Sequence, residues 1–331
     1  VSGTRPATTV FKIIGSQWPT MAEPILKWAG GKRQILSQIV SHFPPEEKIR
    51  GYHEPFFGGG AVFFRECYIH GKTVNDINTR LINFYEVVRD RPRELARELK
   101  QFKRPDADPN PDRRFSDTNR KGKDIKSYYY QVRELFNRRP NGQEFDEVEE
   151  AAQLLYLNRT CYNGLYRENL SGEFNVPSGN YSNPDWEQRS RVSEASDALE
   201  NVELFNTDFS YVAEHAEKGD LVYCDPPYDP NGEASTFADY SSDVFGKEEQ
   251  ERLRDLALEL NDRGVFVVIS NAPSVGELYK PFNEDGFHVN KVGARRAINS
   301  NADGRGEVKE VIITNAEELR ARDGTLSEFA F

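Results

Sequence analysis

The chain has 331 residues, 37% of them hydrophobic and 29% charged, enough for one large domain or two ordinary ones and typical of a soluble globular protein. No apolar stretch approaches membrane-spanning length and the N-terminus lacks the basic-then-apolar pattern of a signal peptide, so a cytoplasmic protein with no membrane partner is expected. The formal charge of -11 argues against a generic nucleic-acid-binding surface, because phosphate neutralisation needs lysine and arginine on the contact face, but it leaves room for a local one.

Residues 1–20 have no clear periodicity and the single methionine is Met21, so this stretch reads as a poorly ordered extension. Beyond Pro24, the segment Lys27-Trp28-Ala29-Gly30-Gly31-Lys32 runs into a helix whose apolar face is Ile35, Leu36, Ile39, Val40 and Phe43. A glycine pair at a helix start lets backbone amides approach an anionic group. It is not a P-loop, since Arg33 stands where Ser or Thr should follow the lysine and the first glycine is missing. The plainer reading is a glycine-rich cap with a solvated lysine. Next, Tyr52-His53-Glu54-Pro55-Phe56-Phe57-Gly58-Gly59-Gly60-Ala61-Val62-Phe63-Phe64 reads as a strand end, a glycine turn and a helix start, and Val74-Asn75-Asp76-Ile77-Asn78 as the end of a second strand carrying an acid. Glycines there allow close backbone approach, and a carboxylate at the second strand tip can accept hydrogen bonds from a ribose diol. The dinucleotide fingerprint fails, because Phe63 occupies the place of its third glycine.

Helical pattern runs from Leu81 to Phe102, and Lys103 to Lys126 is a polar, proline-containing loop or insertion. Two more helices are predicted, over Ser127 to Arg138 and Phe145 to Asn158. The stretch from Tyr156 to Gly179 is rich in Asn, Arg, Tyr and Gly, residues that suit base edges, phosphates and stacking, with a polar loop packed by its own aromatics as the rival reading. The α/β pattern returns after about Ser193. Val202 to Phe205 is a strand followed by Asn206-Thr207-Asp208-Phe209, and Leu221 to Cys224 is a buried strand ending in Asp225-Pro226-Pro227-Tyr228. Two prolines cannot continue a sheet ladder and fix φ twice, so the chain must leave that strand as a rigid corner carrying a carboxylate, a fixed carbonyl and an aromatic ring. A loop from Asp229 to Asp243, a helix from Lys247 to Asp262 and a buried strand from Val265 to Ile269 follow. Strands at Phe287 to Val292 and Val308 to Thr314 then flank a loop with Arg295, Arg296, Ser300 and Asn301. A mostly parallel sheet with one antiparallel edge is predicted, with the helical insertion as a second domain. Cys67, Cys161 and Cys224 have no paired spacing, so reduced, buried thiols are expected and neither a disulfide framework nor a metal site.

Taken in order from about Ile25 to Thr314, these blocks resemble the Dam family of adenine-N6 DNA methyltransferases, with cofactor motifs first, then the recognition stretch, then the Asp-Pro-Pro-Tyr motif. The resemblance implies an α/β, Rossmann-like S-adenosylmethionine-dependent methyltransferase sheet with an inserted, mainly helical DNA-recognition domain. The catalytic domain would be discontinuous, at 21–85 and 195–318, around a recognition domain at 86–194 and before a tail at 319–331. It further implies transfer of methyl to a flipped-out adenine in duplex DNA, within GATC. Trp28, Ala29, Gly30, Gly31, Lys32, Glu54, Pro55, Phe56, Gly58, Gly60, Asp76, Ile77, Asp208, Phe209 and Asp225 would hold S-adenosylmethionine. Asp225, Pro226, Pro227 and Tyr228 would line the target-base pocket. On the DNA, Arg167 would read guanine, Leu165 and Pro177 would meet a thymine methyl, Tyr162 would wedge beside the vacated base, and Asn163 would be a further DNA contact. Lys27 would contact the outer guanine, Arg133 a phosphate, and Ser300 and Asn301 would add contacts. Asn180 and Ser182 replace basic residues of that family. A monomer acting on DNA, with or without a cognate restriction endonuclease, is implied, and no metal. Rival readings are methylation of another planar amine (cytosine N4, RNA adenine or a glutamine side chain) and a catalytically silent DNA-binding regulator.

Overall fold

The structure, a computed structural model, describes residues 22–28, 30–32, 34–65, 72–109, 125–138, 145–227, 245–295 and 307–316. Among the described residues seven strands form one sheet: β1 (Tyr52–Glu54), β2 (Lys72–Asn75), β3 (Glu203–Phe205), β4 (Leu221–Cys224), β5 (Phe266–Asn271), β6 (His288–Arg295) and β7 (Glu307–Thr314). Their spatial order is β3-β2-β1-β4-β5-β7-β6. Strands β1 to β5 pair in parallel, whereas β7 runs antiparallel between β5 and β6. The predicted antiparallel element is thus a terminal hairpin laid onto β5. The chain builds outward from β1 through β2 to β3, then crosses to the other side of β1 to lay down β4. The crevice between the ends of β1 and β4 is therefore the topological switch point, where ligands bind in doubly wound sheets. All four residues of β2 and of β4 are buried, as strands covered on both faces must be.

Among the described residues, five helices separate β2 from β3: α2 (Thr79–Asp90), α3 (Pro92–Leu99), α4 (Tyr128–Asn137), α5 (Glu147–Thr160) and α6 (Arg189–Ala198). Before β1 comes the short α1 (Leu36–Val40), and α7 (Val212–His215), α8 (Lys247–Asp262) and α9 (Pro273–Tyr279) connect the later strands. The predicted helix from Leu81 to Phe102 is two helices, because Pro92 disfavours helical geometry at Arg91, which sits at φ -131 and ψ 38, and itself starts α3. The helix predicted around Ile35 to Phe43 covers only α1, since Pro44 and Pro45 forbid its continuation. Residues 61–65, where the sequence suggested a helix start, form turns instead. Neither α6 nor α9 was predicted: α6 buries only Val192 and Ala195, and α9 contains Pro273 and Gly276, which read as loop residues. Asn78 caps α2 by accepting from the Arg80 and Leu81 amides, and Asp146 caps α5 through the Glu149 amide.

The helix α5 is buried on nearly every side and packs on α2, α3 and α4. Its apolar contacts run without a break into one face of the sheet, through Tyr52, Val74, Leu81, Tyr129 and Leu155. A second core, built on Val222, Val267, Leu253, Leu260 and Tyr279, fills the other face beneath α8 and α9. Both α2 and α6 run across the positions, 85 and 194, where the sequence suggested domain limits. Among the described residues no helix is long and apolar enough to cross a membrane. Cys161 and Cys224 are free and buried, as expected, whereas Cys67 lies outside the described residues.

Candidate active site

The carboxyl ends of β1, β2, β3 and β4 meet at one edge of the sheet, and Asn75 at the end of β2 ties three of them. Its Nδ2 donates to the carbonyls of Pro55 and Thr207, each at 3.0 Å, and its Oδ1 accepts from the Thr207 amide at 2.9 Å. Asp76 follows, with Oδ2 accepting from the Gly58 amide and Oδ1 from the Asn78 amide, both at 2.9 Å. Burial raises its carboxyl above the ordinary value, and those two amides hold the shift back. Beside it Ile77 is 70% exposed, an apolar side chain presented at the rim of the crevice. Phe56 stacks on Phe209 with ring centroids 5.3 Å apart, and Phe245 closes against both. Asp208 accepts from the Ser210 amide and pairs with Arg252 at 2.9 Å, and these bonds outweigh its desolvation and lower its carboxyl.

The glycine turn is shaped by Trp28. A Cβ on Gly58, which has φ +49, would stand 3.0 Å from the indole, and one on Gly59 only 3.1 Å from the Trp28 Cβ. The other partner of the indole is Tyr166, stacked on it with centroids 4.7 Å apart. Nearby, Lys32 is buried and its Nζ stands 3.0 Å from Asp225 Oδ1 and 3.3 Å from Glu310 Oε2. Glu54 is buried too and accepts a hydrogen bond from the Tyr52 hydroxyl at 2.8 Å. Burial pushes its carboxyl well above the ordinary carboxylate range, the Tyr52 bond opposes that, and the Asp225 charge adds to it. Asp225 itself is raised to about 6, by burial first, with the Lys32 ammonium opposing and the Glu310 charge reinforcing the shift. The corner after β4 is held from α8, where Gln250, bonded to Asn271, points its Nε2 at the Pro227 carbonyl.

A hairpin-like loop after α5 stands beside this edge. Cys161 pairs with Ser178 and Glu168 with Phe174, and the side chain of Asn169 accepts the Ser171 and Glu173 amides at the tip. Asn158, buried on α5, ties the hairpin to the segment before the glycine pair: it accepts from the Lys27 amide at 2.9 Å and donates to the Lys27 and Gly164 carbonyls. Arg167 Nε donates to Asn175 at 2.7 Å. Arg133 lies over the Tyr130 ring and donates to the Val176 carbonyl. Tyr162, 53% exposed, and Leu170, 75% exposed, face outward, and the Tyr162 amide donates to the Pro177 carbonyl.

A model of the D12 class of N6 adenine-specific DNA methyltransferases matches residues 28–298, well over half of the chain. The chain belongs to that class. The type II methyltransferase M1.LlaDCHI of Lactococcus lactis subsp. cremoris is 38% identical over 88% of this chain and 95% of that protein. The type II methyltransferase M.MjaIII of Methanocaldococcus jannaschii is 39% identical over 88% of this chain and 99% of that protein. The DNA adenine methylase of Escherichia coli is 34% identical over 87% of this chain and 93% of that protein. Membership makes this a Rossmann-like, adenine-specific DNA methyltransferase whose substrate is duplex DNA and whose methyl donor is S-adenosylmethionine.

Within this D12-class enzyme the structure brings Trp28 to the glycine turn, Asp76 to Gly58, Phe56 to Phe209, and Lys32 to Asp225, linking motifs that the sequence offered one at a time. Ala29, Tyr228, Ser300 and Asn301 lie outside the described residues. Sequence reasoning missed Asn75, Asn158, Tyr166, Phe245, Gln250, Arg252 and Glu310, which hold or face the predicted residues. Of these, Asn75, Asn158 and Tyr166 lie inside stretches that the sequence singled out, and nothing local marks Glu310.

Proposed function

We propose that the enzyme methylates the N6 amine of adenine within GATC sites of duplex DNA, on a base turned out of the helix into the crevice between β1 and β4. The observation that carries the reading is the meeting, at the sheet's switch point, of a buried Glu54, the Asp225-Pro226-Pro227 corner and the glycine turn. The donor set also suits S-adenosylmethionine. Asp76 can accept from a ribose diol, Ile77 and the Phe56–Phe209 stack offer apolar surface to a purine, and carboxylates at Glu54 and Asp225 favour a sulfonium cation. Trp28, the Gly30-Gly31 pair and Gly58 to Gly60 would shape the amino-acid end of that pocket. When bound, the cofactor supplies a methyl group activated by its positive sulfur.

The adenine amine is a poor nucleophile, because its lone pair is delocalised into the ring. In our reading Asp225 and the Pro226 carbonyl accept its two N–H bonds, which localises that pair on nitrogen and orients it for in-line attack, so that positioning and electrostatics do most of the catalysis. The N–C bond would replace the methyl–sulfur bond, and the surplus amine proton would leave through water. Turning the base out costs roughly a few kcal/mol. Tyr228 would stack on the flipped ring. On the duplex, Arg167, oriented by Asn175, would take O6 and N7 of a guanine, with Leu165 and Pro177 near a thymine methyl. Tyr162 would wedge into the space left in the stack, Asn163 would add a DNA contact, Lys27 would meet the outer guanine, and Arg133 a phosphate. The helical insertion at 86–194 would then be the recognition unit. The type II names of two relatives favour a cognate endonuclease as biological partner. We infer that the enzyme acts on DNA as a monomer.

The test is transfer of labelled methyl to two duplexes that differ only in containing GATC. Label on adenine N6 of the GATC duplex alone is the expected result, and label on both would remove the GATC assignment. Asp225→Ala should abolish transfer while leaving cofactor binding largely intact, since the rest of the pocket remains. Replacing Arg167 should cost about 1 to 3 kcal/mol of discrimination, and equal losses on both duplexes would mean that it does not read a base.

A further inference from the structure

Glu310 lies far along the chain from the cofactor and Asp-Pro-Pro-Tyr motifs, yet its carboxylate faces the catalytic corner. The register explains how. Because β7 is antiparallel, it enters the sheet at the edge where β4 and β5 end. Val311 pairs with Asn271, the last residue of β5, and Glu310 stands one step further out, opposite Val292 of β6. From there Glu310 Oε2 lies 3.3 Å from the Lys32 ammonium, which is itself 3.0 Å from Asp225 Oδ1. That oxygen is buried and accepts no hydrogen bond, so the ammonium meets it as a neighbouring charge and not as an aligned donor.

Two carboxylates thus share one ammonium, Asp225 at the end of β4 and Glu310 on β7, while Glu54 on β1 feels the Asp225 charge. An ammonium drawn toward two carboxylates cannot saturate either. We propose that Glu310 is a positioning residue for methyl transfer, which holds Lys32 between itself and Asp225 and so keeps Asp225 a strong acceptor for the adenine amine. The inference rests on the reading of Asp225 as that acceptor. Without the Glu310 charge, the ammonium would swing wholly onto Asp225, tie up its lone pairs and make it easier to ionise. The present balance has that sense: the Glu310 charge pushes the Asp225 carboxyl up and Lys32 pulls it down. Lys32, assigned to the cofactor from sequence alone, thereby gains a second task.

The full-length protein, with its aspartates labelled with carbon-13 at the side-chain carboxyl, is titrated by NMR. The Asp225 signal is identified by its loss in Asp225→Asn, and the label excludes Glu54 and Glu310. The expected result is a lower Asp225 midpoint in Glu310→Gln and a higher one in Lys32→Met, two shifts of opposite sign. In parallel, kcat of Glu310→Gln on GATC duplex should fall about tenfold with KM for the cofactor unchanged, and Glu310→Asp should recover part of the loss. An unmoved midpoint in Glu310→Gln, or a loss confined to KM, overturns the proposal. If Glu310→Gln does not fold, Glu310→Asp and Lys32→Met carry the same comparison. Midpoints that move as expected in an enzyme that labels no DNA support this charge arrangement and overturn the substrate reading instead.

Discussion

Asn75→Leu removes three hydrogen bonds while keeping the number of side-chain heavy atoms and the branch point, and the structure says how unequal those bonds are. The Pro55 carbonyl is enclosed, so losing its donor leaves a buried acceptor unpaired, at about 1 to 3 kcal/mol. Thr207 is exposed, and its carbonyl and amide can turn to water, so each of those bonds is worth only about 0.5 to 1 kcal/mol net. The sum is about 2 to 5 kcal/mol, a large share of the roughly 5 to 15 kcal/mol that holds a domain together. Urea unfolding should show a lower midpoint at unchanged slope. The same change should weaken cofactor binding, measured by calorimetry, because Pro55-Phe56 and Thr207-Asp208-Phe209 lose their common anchor and the Phe56–Phe209 stack with it. A variant within 0.5 kcal/mol of the wild type, with unchanged cofactor affinity, would refute the role of Asn75 as the tie between these loops.

Gly60→Ala should destabilise by about 2 to 5 kcal/mol, because φ is +66 and the new methyl would stand 2.8 Å from Phe64 and 2.9 Å from Phe57 inside the core; an unchanged thermal midpoint would contradict it. Asn158→Ala should blur the preference for GATC more than it weakens cofactor binding, since the side chain joins the hairpin at Gly164 to Lys27, and comparing kcat/KM on cognate and altered duplexes checks this. The free protein should lose stability as pH rises from about 4 through about 6. Burial raises the Asp225 carboxyl from 3.8 to about 6, so its contribution is complete below the unfolded value and disappears through the folded one. Denaturant melts across this range should flatten in Asp225→Asn, and an identical pH dependence in that variant would exclude Asp225 as the source.

The strands were legible either as short apolar runs, as in β4 and β5, or, for the polar β1 and β2, from the glycine and acid turns that follow them, and β4 with its Asp225-Pro226-Pro227 corner is the plainest instance. Helices were legible where one face is apolar: α8 repeats Leu253, Leu256, Ala257 and Leu260, and it begins and ends where the sequence placed it. Where the pattern failed, a local rule had been outweighed. Pro92 splits an otherwise continuous helical stretch, and α6 is held by tertiary packing that so polar a sequence does not announce. Strand order was not deducible from elements alone, because laying β4 against β1 instead of β3 depends on which crossover packs.

The site divides along the same line. Residues facing the crevice sit in glycine- and proline-rich turns because close approach demands unusual backbone, and that demand is written locally. The residues that hold those turns are ordinary: Asn75 bonds to Thr207, 132 positions away, and Asn158 to Lys27, 131 positions away. Neither needs special backbone, and an asparagine is equally at home in a turn, so no local signature separates these two from their neighbours. Glu310 is the extreme case, an acid on a terminal strand that becomes part of the catalytic surroundings only once β7 inserts beside β5. Motifs therefore mark what touches a ligand, whereas what fixes the charge and orientation of those groups is a property of the fold, and substitutions at Asn75, Asn158 and Glu310 are the ones that sequence reasoning would have judged harmless.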